Sequence, residues 1–290
     1  MKKEDGAEPR VLPLLGFKPL IGVVHLPPLH RPGRPGTDIE DLIDYAVNEA
    51  LKLERASFDA VIVENYGDKP FHMTYTGDHT VASLMTAIVR EVSRNTSLIV
   101  GVNILRNDGV AALSSAFAGG ARFIRVNSYC ETRLTPEGIM KPIGAYVEDI
   151  RLSIPRYIAV FADVDVKHSY GLTPVEHAVR ECIERGFMDA VVVSGSRTGA
   201  APDPGYVASI RALASGKPVI LGSGLTLDNI GLYWNIVDGF IVGTSIKIDG
   251  TDSPIALEKA VALARRVREL RANSVYNVPL GGRYSARNPA

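Results

Sequence analysis

The chain has 290 residues, of which 46% are hydrophobic and 22% are charged, and its formal net charge is zero. This composition is typical of a globular protein and fits one large domain or two small ones. The balanced charge gives no electrostatic reason to expect nucleic acid or an anionic membrane as a partner. Apolar runs also stay well short of the roughly 18 residues that span a bilayer.

Both ends of the chain are predicted to be peripheral. Residues 1–17 and 274–290 carry Pro, Gly and Arg without periodicity, so we interpret them as an arm and a tail around a single domain at 18–273. The polar start has no apolar signal-peptide region behind it, which favours a cytoplasmic protein. The two cysteines, Cys130 and Cys182, lie far apart in the sequence, and we expect both to be reduced thiols.

The domain alternates short apolar runs with amphipathic stretches of about ten to twenty residues. The runs are rich in β-branched residues and apolar on both faces, as parallel strands buried between two layers should be. Eight such strands are predicted, at 20–26, 60–66, 98–105, 122–127, 157–167, 189–195, 218–224 and 239–245.

Helix N-terminal signals fall between these strands. Thr37–Glu40 and Thr173–Glu176 have the pattern of a capping box, in which the Thr hydroxyl accepts a bond from a free backbone N–H. Further helix starts are predicted at Asn107-Asp108, Asp203-Pro204, Thr226 and Ser253-Pro254. A strand followed by a helix eight times over predicts a single-domain (β/α)8 TIM barrel. An open doubly wound sheet is the alternative, but no G-x-G-x-x-G follows the first strand to favour it.

Polar side chains cluster where the predicted strands end. In a (β/α)8 barrel the carboxyl ends of the strands and the loops after them form the active-site face. Because polarity is concentrated at that end, we predict a functional site in the mouth of the barrel. Its side-chain candidates are His25, Glu64, Asn65, Asn103, Asn127, Asp163, Asp165, Lys167, His168, Ser194, Ser196 and Thr198.

The fifth predicted strand carries the most informative charges. Side chains alternate along a strand, so Asp163, Asp165 and Lys167 should share the face that points into the barrel. Charges inside a protein are costly unless they are paired or used. We therefore predict that these three residues, together with Glu64 and His25, are catalytic. The alternative for the three charged residues is a buried ion-pair network with no catalytic role. The alternative for His25 is a hydrogen-bonded residue at the rim of the barrel.

The other polar candidates are predicted to bind the substrate. They are Asn65, Asn103, Asn127, His168, Ser194, Ser196 and Thr198. Amide groups donate and accept hydrogen bonds without carrying charge, so the asparagines fit sugar hydroxyls, although they fit loop carbonyls equally well.

Two glycine-rich strand ends predict a phosphate site. Gly222-Ser223-Gly224 ends the seventh strand and Gly243-Thr244-Ser245 ends the eighth. Glycine lets backbone N–H groups approach a ligand closely, and the hydroxyls add donors. The loops after strands seven and eight are also a frequent phosphate site in this fold. The alternative is a pair of tight turns that need glycine for steric reasons alone.

Other chemistries find less support. The chain has no G-x-x-x-x-G-K-[ST] loop, no G-x-S-x-G elbow, no H-E-x-x-H pattern and no Cys/His cluster, so it predicts neither P-loop nucleotide chemistry nor a zinc site. A Mg²⁺ cofactor held by Glu64, Asp163 or Asp165 stays open, because carboxylates suit hard cations. A Schiff base on Lys167 also stays open.

From about residue 18 to 272 the chain resembles the BtpA family. The segments that carry the resemblance, in family order, are IGVVHLPPL, VENYGDKPF, VNILRNDG, FIRVN, FADVDVKHS, SGSRTGAAPD, PVILGSGLTLDNI and DGFIVGTSIKIDG. The resemblance implies a TIM barrel of the ribulose-phosphate-binding type, with the phosphate at Gly222, Ser223, Gly224, Gly243 and Thr244. The chain departs from the family at Arg197, where a small residue is usual, and at Pro136, which replaces an acidic residue before Glu137.

Two classes of function follow from these observations. The first is an enzyme of the lyase, isomerase or glycosidic-bond-cleaving class that acts on a phosphorylated sugar or nucleoside-like metabolite. The second is a non-catalytic assembly factor for a membrane protein complex, as the family's photosystem I biogenesis label implies. The charges on the fifth strand favour the enzyme, because a scaffold has no need of them. A homo-oligomer stays open.

Overall fold

The computed structural model describes residues 14–29, 36–73, 79–185 and 188–276. Its strands are β1 Leu20–His25, β2 Ala60–Glu64, β3 Ile99–Asn103, β4 Phe123–Val126, β5 Arg133–Thr135, β6 Gly138–Met140, β7 Ala159–Val164, β8 Tyr170–Gly171, β9 Ala190–Val193, β10 Val219–Leu221 and β11 Gly239–Val242. Its helices are α1 Ile39–Arg55, α2 Thr80–Asn95, α3 Gly109–Gly119, α4 Gly144–Ser153, α5 Val175–Arg185, α6 Pro204–Leu213, α7 Ile230–Tyr233 and α8 Leu257–Tyr276.

Eight parallel strands close into one barrel, so the predicted (β/α)8 fold is confirmed. The order around the barrel is β1, β2, β3, β4, β7, β9, β10 and β11, and β11 pairs with β1 to close it. Each of these strands lies within one of the eight predicted runs. The closed ring excludes the open sheet.

Two layers of apolar side chains fill the barrel and its surroundings. Alternate residues of each strand point inward, and Phe123 and Phe161 stack there with their ring centroids 4.7 Å apart. Residues of the other parity pack against the helices, among them Val160, Ala162 and Val164 of β7. The apolar interior therefore ends just below the polar residues at the carboxyl ends of the strands.

The helix starts follow the sequence signals in part. Asp203 and Asp108 cap α6 and α3 with their side chains, as predicted. Thr37 was the expected cap of α1, but Asp38 occupies that position and accepts the bond from the first turn. Ser253 does not begin a helix, because α8 starts four residues later, at Leu257.

A three-stranded antiparallel sheet was not predicted. Its order is β6, β5 and β8, and it is built from the segments that follow β4 and β7. Each strand has only two or three residues, too few for an alternating pattern to stand out in the sequence. The turn between β5 and β6 carries Pro136 and Glu137 to the barrel mouth.

The expectation of reduced thiols is wrong, because Cys130 and Cys182 form a disulfide with a Cα–Cα distance of 5.2 Å. The bond joins the loop after β4 to α5, across 52 residues of sequence. The sequence separation did not indicate this disulfide, because it is the barrel topology that brings the two segments together.

The predicted arm and tail lie mainly outside the described residues, so their extent stays a prediction. Within the arm, Leu15 is buried in the cluster that fills the barrel interior. The last helix continues to Tyr276, beyond the predicted domain end at residue 273. Among the described residues, no helix is long and apolar enough to cross a membrane.

Candidate functional site

The mouth of the barrel holds two adjoining cavities. The main cavity, of about 480 Å³, lies over β2, β3 and β4, and a smaller one of about 230 Å³ lies at the ends of β10 and β11. We call the smaller one the cup. The walls that the two cavities share are Glu64, Tyr66, Arg125, Lys167 and Thr198. A ligand in the cup would therefore extend directly into the main cavity.

The six predicted phosphate-binding residues all line the cup. They are Gly222, Ser223, Gly224, Gly243, Thr244 and Ser245. Gly224 has a φ of +76°, and a Cβ there would lie 2.2 Å from the Ala201 backbone nitrogen, so sterics alone require glycine. At Gly243 the φ is −122° and the nearest atom to an added Cβ would be in the His25 ring, at 3.0 Å. The steric alternative therefore explains one of the two loops better than the other.

The hydroxyls of the cup differ in their partners. Ser223 is committed to the loop, since its Oγ donates to the Ala200 carbonyl at 3.1 Å and accepts from the Gly195 N–H at 3.2 Å. Thr244 Oγ1 lies 2.9 Å from the hydroxyl of Thr251. By contrast, Ser245 Oγ is buried and has no hydrogen-bond partner among the described residues. A buried hydroxyl without a partner is costly, so Ser245 is the cup hydroxyl whose hydrogen-bonding capacity the described residues leave unused.

Three predicted residues form a row across adjacent strands. The register pairs His25 with Glu64 and Glu64 with Asn103, so their side chains project together at the mouth. Asn103 Nδ2 donates to Glu64 Oε2 at 2.8 Å. The row thereby presents a buried carboxylate that is oriented by one hydrogen bond.

His25 is held in its neutral form. Burial and then the charge of Lys247 lower the pKa of His25 to about 3. Its Nδ1 lies 3.0 Å from the Thr251 carbonyl, which can only accept, so Nδ1 carries the proton and Nε2 has the lone pair. His25 lines the cup, where it offers a hydrogen-bond acceptor rather than a cation.

Lys167 lies in the wall between the two cavities. Burial, followed by the charge of Arg125, lowers its pKa to about 8, against the opposing effect of Glu64 and Asp163. An ammonium with such a pKa gives up its proton more readily than a surface lysine. Lys167 therefore has the position and the proton affinity of an acid–base or charge-stabilising group.

Asp163 does not line either cavity. Its carboxylate accepts two bonds from Arg125, at 3.0 Å from Nε and 2.8 Å from Nη2, and a third from Asn127 at 2.9 Å. Both members of the ion pair are buried inside the barrel. The alternative interpretation, an ion pair that satisfies itself, describes Asp163 better than the catalytic one.

The predicted convergence of Asp165 with Asp163 and Lys167 is wrong. β7 ends at Val164, and Asp165 has a φ of +50°, which breaks the alternation that the prediction assumed. Its carboxylate instead accepts from Arg133 at 2.7 Å and from the Tyr206 hydroxyl at 3.0 Å, outside both cavities.

Some of the predicted substrate-binding residues line a cavity and others do not. Asn103, Asn127, His168 and Thr198 line the main cavity. Asn65, Ser194 and Ser196 do not. Asn65 bridges its own loop to the Leu105 backbone, Ser194 lies beside Arg125, and Ser196 is exposed. Loop carbonyls and N–H groups, rather than a ligand, are the partners of Asn65.

The structure gathers no metal site from the residues proposed for Mg²⁺. Glu64 lies at the mouth, whereas Asp163 is paired with Arg125 and Asp165 with Arg133. Within the described part of the chain, no group of three or more His, Cys, Asp or Glu side chains could hold a metal ion.

Two arginines of the site were missed in the sequence. Arg125 and Arg106 line the main cavity and are both buried. Alternation along β4 places Arg125 on the same inward face as Phe123 and Asn127, so a period-two analysis of that strand could have found it. Arg106 follows β3 in a loop, where no periodic signal exists.

Lys247 is buried close to the cup, and the destabilisation caused by burying its ammonium group can be measured. It is 1% exposed, its Nζ has no hydrogen-bond partner among the described residues, and burial lowers its pKa to about 8. Lys247→Met should therefore raise the free energy of unfolding at pH 7 by about 1–3 kcal/mol. Urea titration measures the change.

The gain from Lys247→Met has a defined pH dependence. Between about pH 8 and the ordinary lysine value of 10.5, the unfolded wild type binds a proton that the folded one has lost. Wild-type stability thus rises over this window and the advantage of the variant shrinks. Lys141→Met, at an exposed lysine, should change stability little at any pH. A gain that persists above pH 10.5 would contradict the assignment.

Comparison with known sequences shows the family of this chain. The BtpA family matches residues 17–269. This chain belongs to the BtpA family. An uncharacterized protein of Pyrococcus horikoshii is 44% identical over 88% of this chain and 97% of its own length. The photosystem I biogenesis protein BtpA of Synechocystis is 38% identical over 80% of this chain and 81% of its own.

Comparison with solved structures supports the fold alone. N-(5'-phosphoribosyl)anthranilate isomerase from Pyrococcus furiosus superposes with a TM-score of 0.55 at 13% identity, over 87% of this chain and 99% of that one. The (S)-3-O-geranylgeranylglyceryl phosphate synthase from Thermoplasma acidophilum, solved with sn-glycerol-1-phosphate, gives 0.55 at 16% identity, over 90% and 99%. Both relationships confirm the barrel that the strands of this BtpA-family chain form.

Proposed function

We propose that this chain is an enzyme that acts on a small phosphorylated metabolite, a sugar phosphate or a nucleoside-like compound. The observation that carries the proposal is the shared wall of the two cavities. A phosphate in the cup would place the rest of the molecule against Glu64 and Lys167. The names of barrels with the same fold, which act on phosphoribosyl and glyceryl phosphate compounds, support this class of substrate.

The chemistry we propose is acid–base catalysis beside the phosphate. Glu64, fixed by Asn103, would accept a proton from the substrate. Lys167 would stabilise the negative charge that develops, because a cation in a site that excludes water acts more strongly than one in bulk solvent. Neutral His25 would accept a hydrogen bond from a hydroxyl next to the phosphate. Asp163 and Asp165, each held by an arginine, have no part in these steps.

Ser245→Ala tests the cup directly. The variant should weaken the binding of inorganic phosphate by roughly 10–100-fold, since a hydrogen bond to a charged group contributes about 1.5–3 kcal/mol. Because the hydroxyl has no hydrogen-bond partner among the described residues, the same change should leave stability unaltered or slightly higher. Calorimetric titration and thermal unfolding measure the two effects.

Ser209→Ala is the matched control, because Ser209 is an exposed serine on α6, outside both cavities. It should leave phosphate affinity unchanged. If phosphate binds the wild type and Ser245→Ala equally well, the cup is not the phosphate site. Native mass spectrometry of the purified protein would then show whether a phosphorylated ligand is retained at all.

A second function, as an assembly factor, is favoured by one surface. Ile139, Leu134 and Tyr170 lie directly opposite one another across β6, β5 and β8, and their exposed fractions are 59%, 43% and 74%. An apolar row of this kind is typical of a protein-binding face. The name of the Synechocystis relative points the same way. Replacing Leu134 and Tyr170 with serine should abolish partner binding in that case, yet leave phosphate binding intact.

A further inference from the structure

Arg106 is a buried cation with an unused donor. It is 5% exposed and lines the main cavity. Its Nη2 donates to the Lys167 carbonyl at 2.9 Å, but its Nε has no hydrogen-bond partner among the described residues. Buried guanidinium groups normally have all their donors satisfied, since an unmade bond to a buried charge is costly. The described residues therefore leave a hydrogen-bonding position of the Arg106 guanidinium unfilled.

Glu137 forms a long ion pair with Arg106 but no hydrogen bond. Glu137 Oε2 lies 3.8 Å from Arg106 Nε, beyond the distance of a hydrogen bond, and this buried oxygen has no hydrogen-bond partner among the described residues. Burial lowers the pKa of Arg106 more than the nearby Glu137 raises it. The charge of Glu137 thus only partly offsets the burial of the guanidinium.

The wall of the main cavity is cationic as a whole. Five of its side chains are lysine or arginine and two are glutamate: Lys69, Arg106, Arg125, Lys167 and Arg197 against Glu64 and Glu137. Asp163 compensates Arg125, and Asp252 compensates Lys69. Arg106 lines the main cavity but not the cup. The cup and Arg106 are therefore two separate candidate positions for an anion.

We propose that Arg106 binds a carboxylate of the substrate, so that the enzyme acts on a compound with a phosphate at one end and a carboxylate at the other. The proposal rests on the proposed function for the phosphate end. A guanidinium edge matches the two oxygens of a carboxylate. A second phosphate fits less well, because Glu137 would repel a doubly charged group more strongly than a singly charged one.

The test compares two series of probes by calorimetric titration. One consists of ω-phosphonocarboxylates of increasing chain length, and the other of alkylphosphonates of matching length without the carboxylate. At the best length the carboxylate should improve the affinity of the wild type by about tenfold or more, as expected for a charge-assisted bond. Arg106→Gln should remove this advantage and leave alkylphosphonate binding unchanged. Arg122→Gln, at an exposed arginine, should keep both the advantage of the carboxylate and the affinity for alkylphosphonates.

Glu137→Gln supplies an independent readout if Arg106→Gln does not fold. It removes the carboxylate that competes for Arg106, so the advantage of the phosphonocarboxylates should increase. The inference is overturned if the wild type shows no advantage at any length, if Arg106→Gln keeps it, or if alkyl bisphosphonates gain more than the carboxylates do.

A third probe separates this inference from the proposed function. Benzoate carries a carboxylate and no phosphorus, whereas alkylphosphonates report the cup alone. Alkylphosphonates that bind without any gain from a carboxylate would refute the Arg106 subsite and leave the cup in place. Benzoate that binds through Arg106, with no binding of alkylphosphonates, would refute the phosphate site and retain the subsite. Failure of both probes would refute both.

Discussion

Asp163→Ala should lower the free energy of unfolding by about 3–5 kcal/mol, the range for removing one member of a buried ion pair. Asp163 accepts two bonds from Arg125, and both side chains are at most 5% exposed. Without the carboxylate, Arg125 would be an uncompensated charge inside the barrel. Urea unfolding at neutral pH measures the loss.

Two further variants make the Asp163 test specific. Adding Arg125→Met to Asp163→Ala removes the stranded charge and should recover much of the lost stability. Glu181→Ala breaks an exposed ion pair with Arg185 and should cost less than about 1 kcal/mol. If Asp163→Ala keeps its stability but loses turnover, the original catalytic assignment of Asp163 is right and the structural one is wrong.

The barrel was predictable because its signal repeats. Each strand buries both faces, which forces an apolar run, and each helix needs an amphipathic stretch and a start signal. The loops after β10 and β11 could likewise be predicted to meet, because consecutive parallel strands are neighbours and their carboxyl ends share one rim. The same rule brought Glu64 and Asn103 side by side.

The positions of the charged side chains at the end of β7, the fifth predicted strand, could not be predicted from the alternation of side chains. Alternation holds only while the chain stays extended, and Asp165 leaves that region with a φ of +50°. The partners that neutralise the two aspartates, Arg125 and Arg133, come from β4 and β5, distant in the sequence. A cluster of charges on one strand therefore does not distinguish a catalytic set from an ion-pair set until its partners are located.

The disulfide and the position of Arg106 could not be predicted from sequence patterns either. Both depend on which loops meet above the barrel, and loops carry no periodic signal. The contact between Glu137 and Arg106 depends on the small sheet of β5, β6 and β8, whose strands are too short to be found in the sequence. The specificity-determining part of the site is thus the part that sequence patterns reveal least.

Lys167→Met should reduce the turnover of the phosphorylated substrate by about 10²–10⁴-fold, the contribution typical of a positioned acid–base group. Its effect on phosphate binding in the cup should be much smaller, because the cup has its own donors. Lys217→Met, at a lysine outside both cavities, should change neither quantity. Steady-state kinetics and phosphate titration separate the two effects.

The pH profile decides which form of Lys167 acts. Its pKa is lowered to about 8 by burial, so a protonated Lys167 predicts that kcat/KM falls as the pH rises through about 8. Lys167→Arg keeps the charge at higher pH and should move that fall upward, with whatever activity the longer side chain permits. A rate that instead rises through pH 8, with a substrate adduct trapped on Lys167 by borohydride, would identify the neutral amine as a nucleophile. That outcome would replace charge stabilisation with the Schiff base that the sequence left open.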